Sequence, residues 1–234
     1  MSTYLNGKAK RTEPYTADEI YQKILSGIIK FQYEPGQRIS ENQMSERYYV
    51  SRSVIRTAFT RLQQLRFIEI YPQRGTYVSL IDLNYISDLL MLRTAVEKEV
   101  LYEMFTYLKD EDRMALIKAL EDNLAEQEKC RNEQNYYGKF PKIDAAFHQT
   151  MIDSVGRAAL VDLLSDNMLH IARWRNFDVA FDHRIPEIID QHHAIVDAIK
   201  AENLLLAQHK MATHLETISN IADRAKAYYP SYFK

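Results

Sequence analysis

Apolar residues recur at helical spacing from Leu83 almost to the end of the chain, and this pattern constrains the fold more than any other feature. It predicts six helices, over about 83–107, 110–131, 137–154, 157–176, 185–200 and 203–228. Glycine and proline number only six each in 234 residues. Average proteins contain about 7% glycine and about 5% proline, so sandwiches, barrels and glycine-rich nucleotide folds are disfavoured.

The first 80 residues follow a different pattern. Capping boxes at Thr16–Glu19 and Ser40–Gln43 begin two helices, and Ser51 can cap a third. The second and third helices are separated by a short connection, which makes them a helix-turn-helix candidate. A β-hairpin is predicted next, because two β-prone segments flank a turn with Arg74 and Gly75 at its tip.

The predicted fold is therefore mainly α. It consists of an N-terminal winged helix-turn-helix, with three helices plus a β-hairpin, followed by an all-helical bundle. We divide the chain into a mobile tail over 1–13, the winged domain over 14–80 and the helical domain over 81–234.

Charge is distributed unevenly between these parts. Residues 1–80 carry 12 Lys/Arg and 7 Asp/Glu, whereas residues 81–234 carry 18 and 25, so a basic head of +5 precedes an acidic body of −7. Such a head is suited to a polyanion. The single cysteine cannot form an internal disulfide, which favours a cytoplasmic location, and there is no apolar run long enough to cross a membrane.

The basic head has its positive charge where a recognition helix would need it. Five arginines and no acid lie between Glu46 and Glu69, and Arg52 and Arg56 begin the third helix with Ser53 between them. Arginines there can reach phosphates and guanine edges in a major groove. A solvated basic face is an equal alternative for the arginines alone. The basic hairpin tip favours DNA binding, because a wing contacts the neighbouring DNA backbone or minor groove.

In the acidic body, four polar side chains interrupt apolar helical stripes. They are Asp144, His148, His192 and His214. The remaining four histidines, at 170, 183, 193 and 209, lack such surroundings. Taken singly, each inward histidine is better explained as a hydrogen-bonded core residue. Three imidazoles and a carboxylate together can form a transition-metal site, because one cation satisfies them all. Zinc is the first choice, and nickel or manganese are alternatives.

Arg93 is a fifth inward polar residue, on the stripe of the first long helix. A buried arginine requires an anion. Two anions are equally suitable, Glu97 one turn further on and a ligand carboxylate, and both can apply together.

The winged part resembles the winged helix-turn-helix of GntR-type bacterial transcription regulators. The resemblance rests on Tyr33–Glu41, Val50–Arg56 and Pro72–Val78. It implies a DNA-contacting role for Asn42, Arg52, Ser53, Val54, Arg56, Arg74 and Gly75. One departure is Tyr49, which stands where the family commonly has glycine.

The helical part resembles the FCD effector domain of the FadR-like branch of that family, on the motifs around Asp144, His192 and His214. The resemblance implies a bundle that dimerises, and a divalent metal bound by Asp144, His148, His192 and His214. A small organic acid would bind at the metal, with Arg93 as its partner.

These observations favour a dimeric, cytoplasmic transcription regulator, provisionally a repressor, that binds a double-stranded DNA operator under the control of a small carboxylate and is not an enzyme. The alternative is a metal-dependent hydrolase with a basic appendage, since three histidines and a carboxylate can activate water. A third reading is a metal-free helical dimerisation body.

Overall fold

The computed structural model describes residues 13–134, 136, 138–216 and 221–234. Contacts within these residues group the chain into two compact units. The first comprises the described residues up to Ile28 together with Tyr33–Ser79, and the second comprises Ile29–Gln32 together with Leu80–Lys234. Most of the predicted N-terminal tail lies outside the described residues.

The first unit is a winged helix-turn-helix, as predicted. Its elements in chain order are α1 (Ala17–Ile29), β1 (Arg38–Ile39), α2 (Glu41–Tyr48), α3 (Arg52–Gln64), β2 (Ile68–Tyr71) and β3 (Gly75–Val78). The strands form an antiparallel sheet in the order β1-β3-β2.

Local sequence signals explain where these helices begin. The Thr16 hydroxyl accepts from the Glu19 amide at 3.2 Å while the Glu19 carboxylate accepts from the Thr16 amide at 2.9 Å, so the capping box is complete. Ser40 accepts from the Gln43 amide at 3.1 Å. Ser51 precedes α3 with an extended backbone, but its hydroxyl makes no cap hydrogen bond and lies 2.8 Å from the Ser53 hydroxyl instead.

The apolar faces of α1 and α3 form the core of the first unit. Ile20, Ile24, Ile28, Ile55 and Leu62 are fully buried there. Burial of each such side chain contributes roughly 1.5–3 kcal/mol. The packing fixes α3 so that its opposite face is exposed.

The second unit is helical throughout its described length, apart from an isolated bridge between Ile81 and Phe233. Its elements are α4 (Leu83–Tyr107), α5 (Asp110–Glu128), α6 (Phe140–Ser154), α7 (Ala159–Asp182), α8 (Ile185–Lys200), α9 (Leu204–Leu215), α10 (Ala222–Tyr228) and a 3₁₀ turn (Pro230–Tyr232). Within the described ranges, no helix is both long and apolar enough to span a bilayer.

Several predicted helix boundaries were wrong. The helix predicted over 157–176 continues to Asp182, because no glycine or proline interrupts it and His183 ends it in the left-handed conformation. The helix predicted over 203–228 is two helices, since the backbone becomes extended at Glu216. Residues 217–220, which that prediction included, lie outside the described residues.

One core cluster joins α4, α5, α6, α8 and α9. Its fully buried members include Leu101, Leu120, Phe147, Ile195 and Met211. These helices carry the polar residues singled out from the sequence, so the same packing that forms the core brings those residues together.

Candidate functional site

The helix-turn-helix depends on a tight connection between α2 and α3. Tyr49 ends α2 in the left-handed region, with φ 55° and ψ 44°, and its amide donates to the Ser45 carbonyl. The Val50 amide also donates to that carbonyl, at 3.2 Å, while the Ser45 hydroxyl donates to the Val50 carbonyl at 2.5 Å. Ser45 therefore fixes the turn from both sides.

The predicted DNA-contacting residues of α2 and α3 lie on the exposed side of the unit. Asn42, Arg52, Ser53 and Arg56 are exposed, and Val54 is half-buried. Their arrangement leaves the first turn of α3 accessible to a groove of DNA.

Glu41 holds the two arginines of α3 in the structure. Its carboxylate accepts two hydrogen bonds from Arg56, both 2.9 Å long, and one from Arg52 at 3.5 Å. The hydrogen bond from Arg56 lowers the pKa of the Glu41 carboxyl below its ordinary value. A phosphate that binds these arginines must compete with Glu41, but an exposed pair of this kind contributes little energy.

The wing turn presents Arg74 at its exposed tip. The Arg74 amide donates to the Tyr71 carbonyl at 3.0 Å, and the Tyr77 hydroxyl donates to the Arg74 carbonyl at 3.2 Å. Gly75 has φ +121°, and a Cβ there would lie 2.9 Å from Arg38 Nε. Glycine is therefore required at this tip.

The second unit brings the four predicted metal ligands to one point. Asp144 and His148 lie one turn apart on α6, His192 lies on α8 and His214 lies on α9. All four are buried, and one ligand atom from each lies within 4.8 Å of the others. His214 Nε2 lies 3.2 Å from His192 Nε2 and 3.3 Å from His148 Nε2, and Asp144 Oδ1 lies 3.6 Å from His192 Nε2.

Outer hydrogen bonds determine which imidazole nitrogens face this point. Gln127 Oε1 lies 2.7 Å from His192 Nδ1, and Gln191 Oε1 lies 3.1 Å from His214 Nδ1. Both glutamines direct their amide NH₂ groups to other acceptors, Asn123 and Glu187. The glutamine oxygens must therefore accept from Nδ1–H, which leaves both Nε2 atoms without a proton.

His148 is oriented by a carboxylate instead. Its Nδ1 lies 2.5 Å from Glu97 Oε2, so its Nε2 faces the cluster. Glu97 Oε1 accepts from Arg93 Nε at 2.6 Å. Although burial opposes the charged form, His148 and Arg93 lower the pKa of Glu97 to about 2. Glu97 is therefore the partner of Arg93 that the sequence suggested, and it also orients a ligand.

The resulting cluster consists of acceptors that need a cation. The Nε2 atoms of His148, His192 and His214 face Asp144 Oδ1, which is buried and has no hydrogen-bond partner in the described parts of the chain. The other carboxylate oxygen of Asp144 accepts from the Tyr136 hydroxyl. A tetrahedral zinc ion with Zn–N bonds of about 2.0–2.1 Å places its nitrogen ligands about 3.3–3.4 Å apart. The observed nitrogen separations of 3.2 and 3.3 Å agree with this spacing.

The electrostatics of the cluster suit a metal. Burial lowers the pKa of His192 to about 3 and that of His214 well below its ordinary value, so both rings are neutral at neutral pH. Burial opposes the charged form of Asp144, but nearby positive charge, including that of Arg175, lowers its pKa, so it is an anion. Neutral imidazoles and a carboxylate are the protonation states that bind divalent metals.

Arg175, on α7, is a buried residue near the cluster that the sequence did not reveal. Its Nη1 lacks a hydrogen-bond partner among the residues described, and its nearest acid, Asp178 Oδ2, is 4.0 Å away. Asp178 already accepts two hydrogen bonds from Arg184, at 3.2 and 3.1 Å. Arg175 lies close enough to lower the pKa values of Asp144 and His192.

A usable signal for these additional residues existed. Gln127 continues the buried stripe Leu116, Leu120 and Leu124, and Arg175 lies midway between buried Ile171 and Val179. A polar residue on an apolar stripe is the signal that found the histidines. His170 was misjudged, since it is buried with its ring edge-on to Tyr85. His193 is half-buried and His209 is exposed, as their polar faces indicated.

Comparisons with known proteins agree with both units. Residues 16–78 match the family model described as bacterial regulatory proteins of the gntR family, and residues 88–217 match the FCD domain. An HTH-type transcriptional regulator in an unstable DNA locus of Streptomyces ambofaciens is 28% identical over 97% of this chain and 91% of its own length. The HTH-type transcriptional repressor RspR of Escherichia coli K12 is 28% identical over 89% of each chain.

Solved structures show the same fold. McbR/YncC of E. coli superposes with a TM-score of 0.57 at 16% identity, over 92% of this chain and all of that one. A GntR regulator from Rhodococcus sp. RHA1 gives 0.58 at 20% identity, over 93% and 99%. The relatives are regulators rather than enzymes, which gives the hydrolase alternative no support.

Proposed function

The chain belongs to the gntR family of bacterial regulatory proteins and is a DNA-binding transcription regulator with an FCD domain, and we propose that a divalent metal and a small carboxylate control its affinity for its operator. GntR regulators bind DNA operators and FCD domains bind small-molecule effectors, commonly with a metal.

The metal is held by Asp144, His148, His192 and His214. The observation that carries this proposal is the convergence of three Nε2 atoms on an otherwise unpartnered carboxylate oxygen. A metal-free core histidine would instead accept a hydrogen bond at its second ring nitrogen from a neighbouring donor. Three nitrogens and one carboxylate oxygen suit zinc best, with nickel and manganese as alternatives.

The effector is a small anion that binds beside the metal. When bound, the metal supplies an electrophilic centre for a carboxylate oxygen. We assign Arg93 to the effector site and add Arg175, whose unpartnered Nη1 offers a hydrogen bond that no described residue uses. Buried guanidinium groups and carboxylates form strong planar pairs, so Arg175 favours carboxylates over neutral ligands of similar size.

The DNA surface comprises the first turn of α3, Asn42 of α2 and the wing tip. Arg52, Arg56 and Arg74 contact phosphates or base edges, while Ser53 and Val54 contact bases, Val54 through a thymine methyl group. Gly75 allows the wing backbone to approach the duplex. Two such surfaces in a homodimer fit a palindromic operator, with half-sites about one helical turn apart. Repression is the proposed outcome, in line with the name of RspR.

Control requires the carboxylate to bind the DNA-free and DNA-bound arrangements with different affinity. Coupling free energies of this kind usually change affinity about 5- to 150-fold. The experiment uses a duplex that the wild-type protein selects from a random-sequence library. Its dissociation constant is measured with zinc-loaded and chelated protein, each without acid and with acetate, malate, lactate or citrate.

We expect at least one acid to change duplex affinity about fivefold or more in the zinc-loaded protein. The response should be lost in Arg175→Gln, and it should persist in the control Arg157→Gln, which removes an exposed arginine paired with Glu103. Identical duplex affinity under all these conditions would refute the regulatory proposal and leave the DNA-binding function intact.

A further inference from the structure

Tyr49 is the most exposed large hydrophobic side chain in the part of the chain that the structure describes. Its relative exposure is 91%, and it has no hydrogen bond or ring contact to another described residue. Its backbone lies in the left-handed region, at φ 55° and ψ 44°, which side chains with a Cβ rarely adopt. The unit therefore carries an aromatic ring where glycine would fit the backbone better, and the described residues leave this ring almost fully exposed.

The position of Tyr49 suggests what the ring contacts. It lies in the turn of the helix-turn-helix, three residues before Arg52. Tyr49, Val50, Ser51 and Val54 line one surface depression at the start of α3. The ring therefore borders the surface that α3 would present to DNA, beside a residue proposed to contact a base.

We propose that Tyr49 is a further DNA-contacting residue, with its ring against a deoxyribose at the edge of the major groove and its hydroxyl donating to a phosphate oxygen. This inference rests on the proposed role of α3. Tyrosine hydroxyls are common phosphate donors, and such contacts fix the register of a protein on the duplex. The depression between the ring and Val54 provides the apolar surface that a sugar would cover.

The left-handed backbone of Tyr49 allows a DNA contact to be distinguished from a purely structural role. Replacement by glycine removes the ring and also relieves the left-handed conformation, so it should not destabilise the unit. A contact that serves only folding would make the variant less stable, whereas a DNA contact predicts unchanged or higher stability with weaker binding. Weaker DNA binding without a loss of stability is therefore expected only if the ring contacts DNA.

The experiment measures Tm and affinity for the library-selected duplex at several salt concentrations. Tyr49→Gly should melt at or above the wild-type temperature and bind roughly 10- to 50-fold more weakly. Tyr49→Phe should lose roughly 3- to 10-fold, which isolates the hydroxyl. Because tyrosine is uncharged, the slope of log affinity against log salt should stay at the wild-type value in both variants.

Two controls separate this inference from the proposed function. Glu202→Gly relieves another left-handed residue, at φ 51° in the helical unit, and should not change duplex affinity. Arg56→Ala tests the α3 surface itself. If Arg56→Ala binds weakly while Tyr49→Gly binds like wild type, the role of Tyr49 is refuted and the α3 surface stands. If both bind like wild type, both assignments are overturned.

Discussion

Replacement of Asp144 by asparagine should abolish the stabilisation of the protein by metal. The substitution preserves the shape of the side chain. Its amide oxygen can still accept from the Tyr136 hydroxyl, while its NH₂ takes the place of Oδ1, which lies 3.6 Å from His192 Nε2. An orphan acceptor beside a proton-free nitrogen thus becomes a donor beside it. The same change removes the only anionic ligand from the cluster.

The expected magnitudes follow from these contacts. For a protein of this size, a change of about 1 kcal/mol in the free energy of unfolding shifts the Tm by about 2–4 °C. In the wild type, metal at about 100 times its Kd adds about 2.7 kcal/mol, or about 5–11 °C.

Loss of the Asp144 carboxylate should remove most of this stabilisation by metal. Loss of an outer partner of a metal ligand already weakens metal binding by about 10- to 100-fold, so loss of the carboxylate should weaken it at least about 100-fold. The same metal concentration then equals the Kd and adds only about 0.4 kcal/mol, or about 1 °C.

The assay is thermal unfolding followed by far-UV circular dichroism, with chelator and with excess zinc. Asp153→Asn is the matched control, because it removes an exposed carboxylate from the same helix and should keep the full zinc response. A metal-induced rise in Tm that is as large in Asp144→Asn as in the wild type would refute the assignment of the ligands.

Three further outcomes are expected. Arg56→Ala should weaken binding to the selected duplex about tenfold and leave the Tm unchanged. Titrations at several salt concentrations should show that the slope of log affinity against log salt decreases by about 1 per subunit. An unchanged slope would exclude a phosphate contact. Gln127→Met should weaken zinc binding about 10- to 100-fold in a competition titration with a chelator, because His192 loses the acceptor that orients it, and wild-type affinity would contradict this role. In the metal-free protein, burial lowers the pKa of His192 from 6.5 to about 3, so the unfolded chain binds a proton at a higher pH than the folded chain does. The contribution of His192 to the free energy of unfolding is therefore complete above pH 6.5 and falls by about 1.4 kcal/mol per pH unit as the pH drops toward 3. The loss between pH 7 and pH 5 is about 2 kcal/mol, and His214 acts in the same direction. Urea unfolding at pH 7 and pH 5 measures this, and equal stabilities would contradict it.

Local signals predicted the helix starts and the inward-facing residues well. The capping boxes at Thr16 and Ser40 act within one turn, so the chain on either side hardly affects them. Apolar helical stripes are interrupted by Asp144, His148, His192 and His214. Because those stripes are buried, the side chains of these four residues also point into the core.

Features that depend on distant residues were not predictable in this way. Strand β1 exists because Arg38 and Ile39 pair with Tyr77 and Thr76, which are close to them only after folding. The orientation of each imidazole is set by Glu97, Gln127 or Gln191, each of which lies on a different helix from the imidazole it contacts. A side chain such as Arg175 has a known direction only once the helix containing it is known to continue past residue 176.

The central claim is that the carboxylate and the operator influence each other's binding to one protein. The most direct test is calorimetric titration of zinc-loaded protein with the acid that alters duplex affinity, with and without a saturating amount of the selected duplex. Thermodynamic linkage predicts that the acid's affinity changes by the same factor as the duplex affinity, about fivefold or more. Equal affinity of the acid for free and duplex-bound protein would contradict the account.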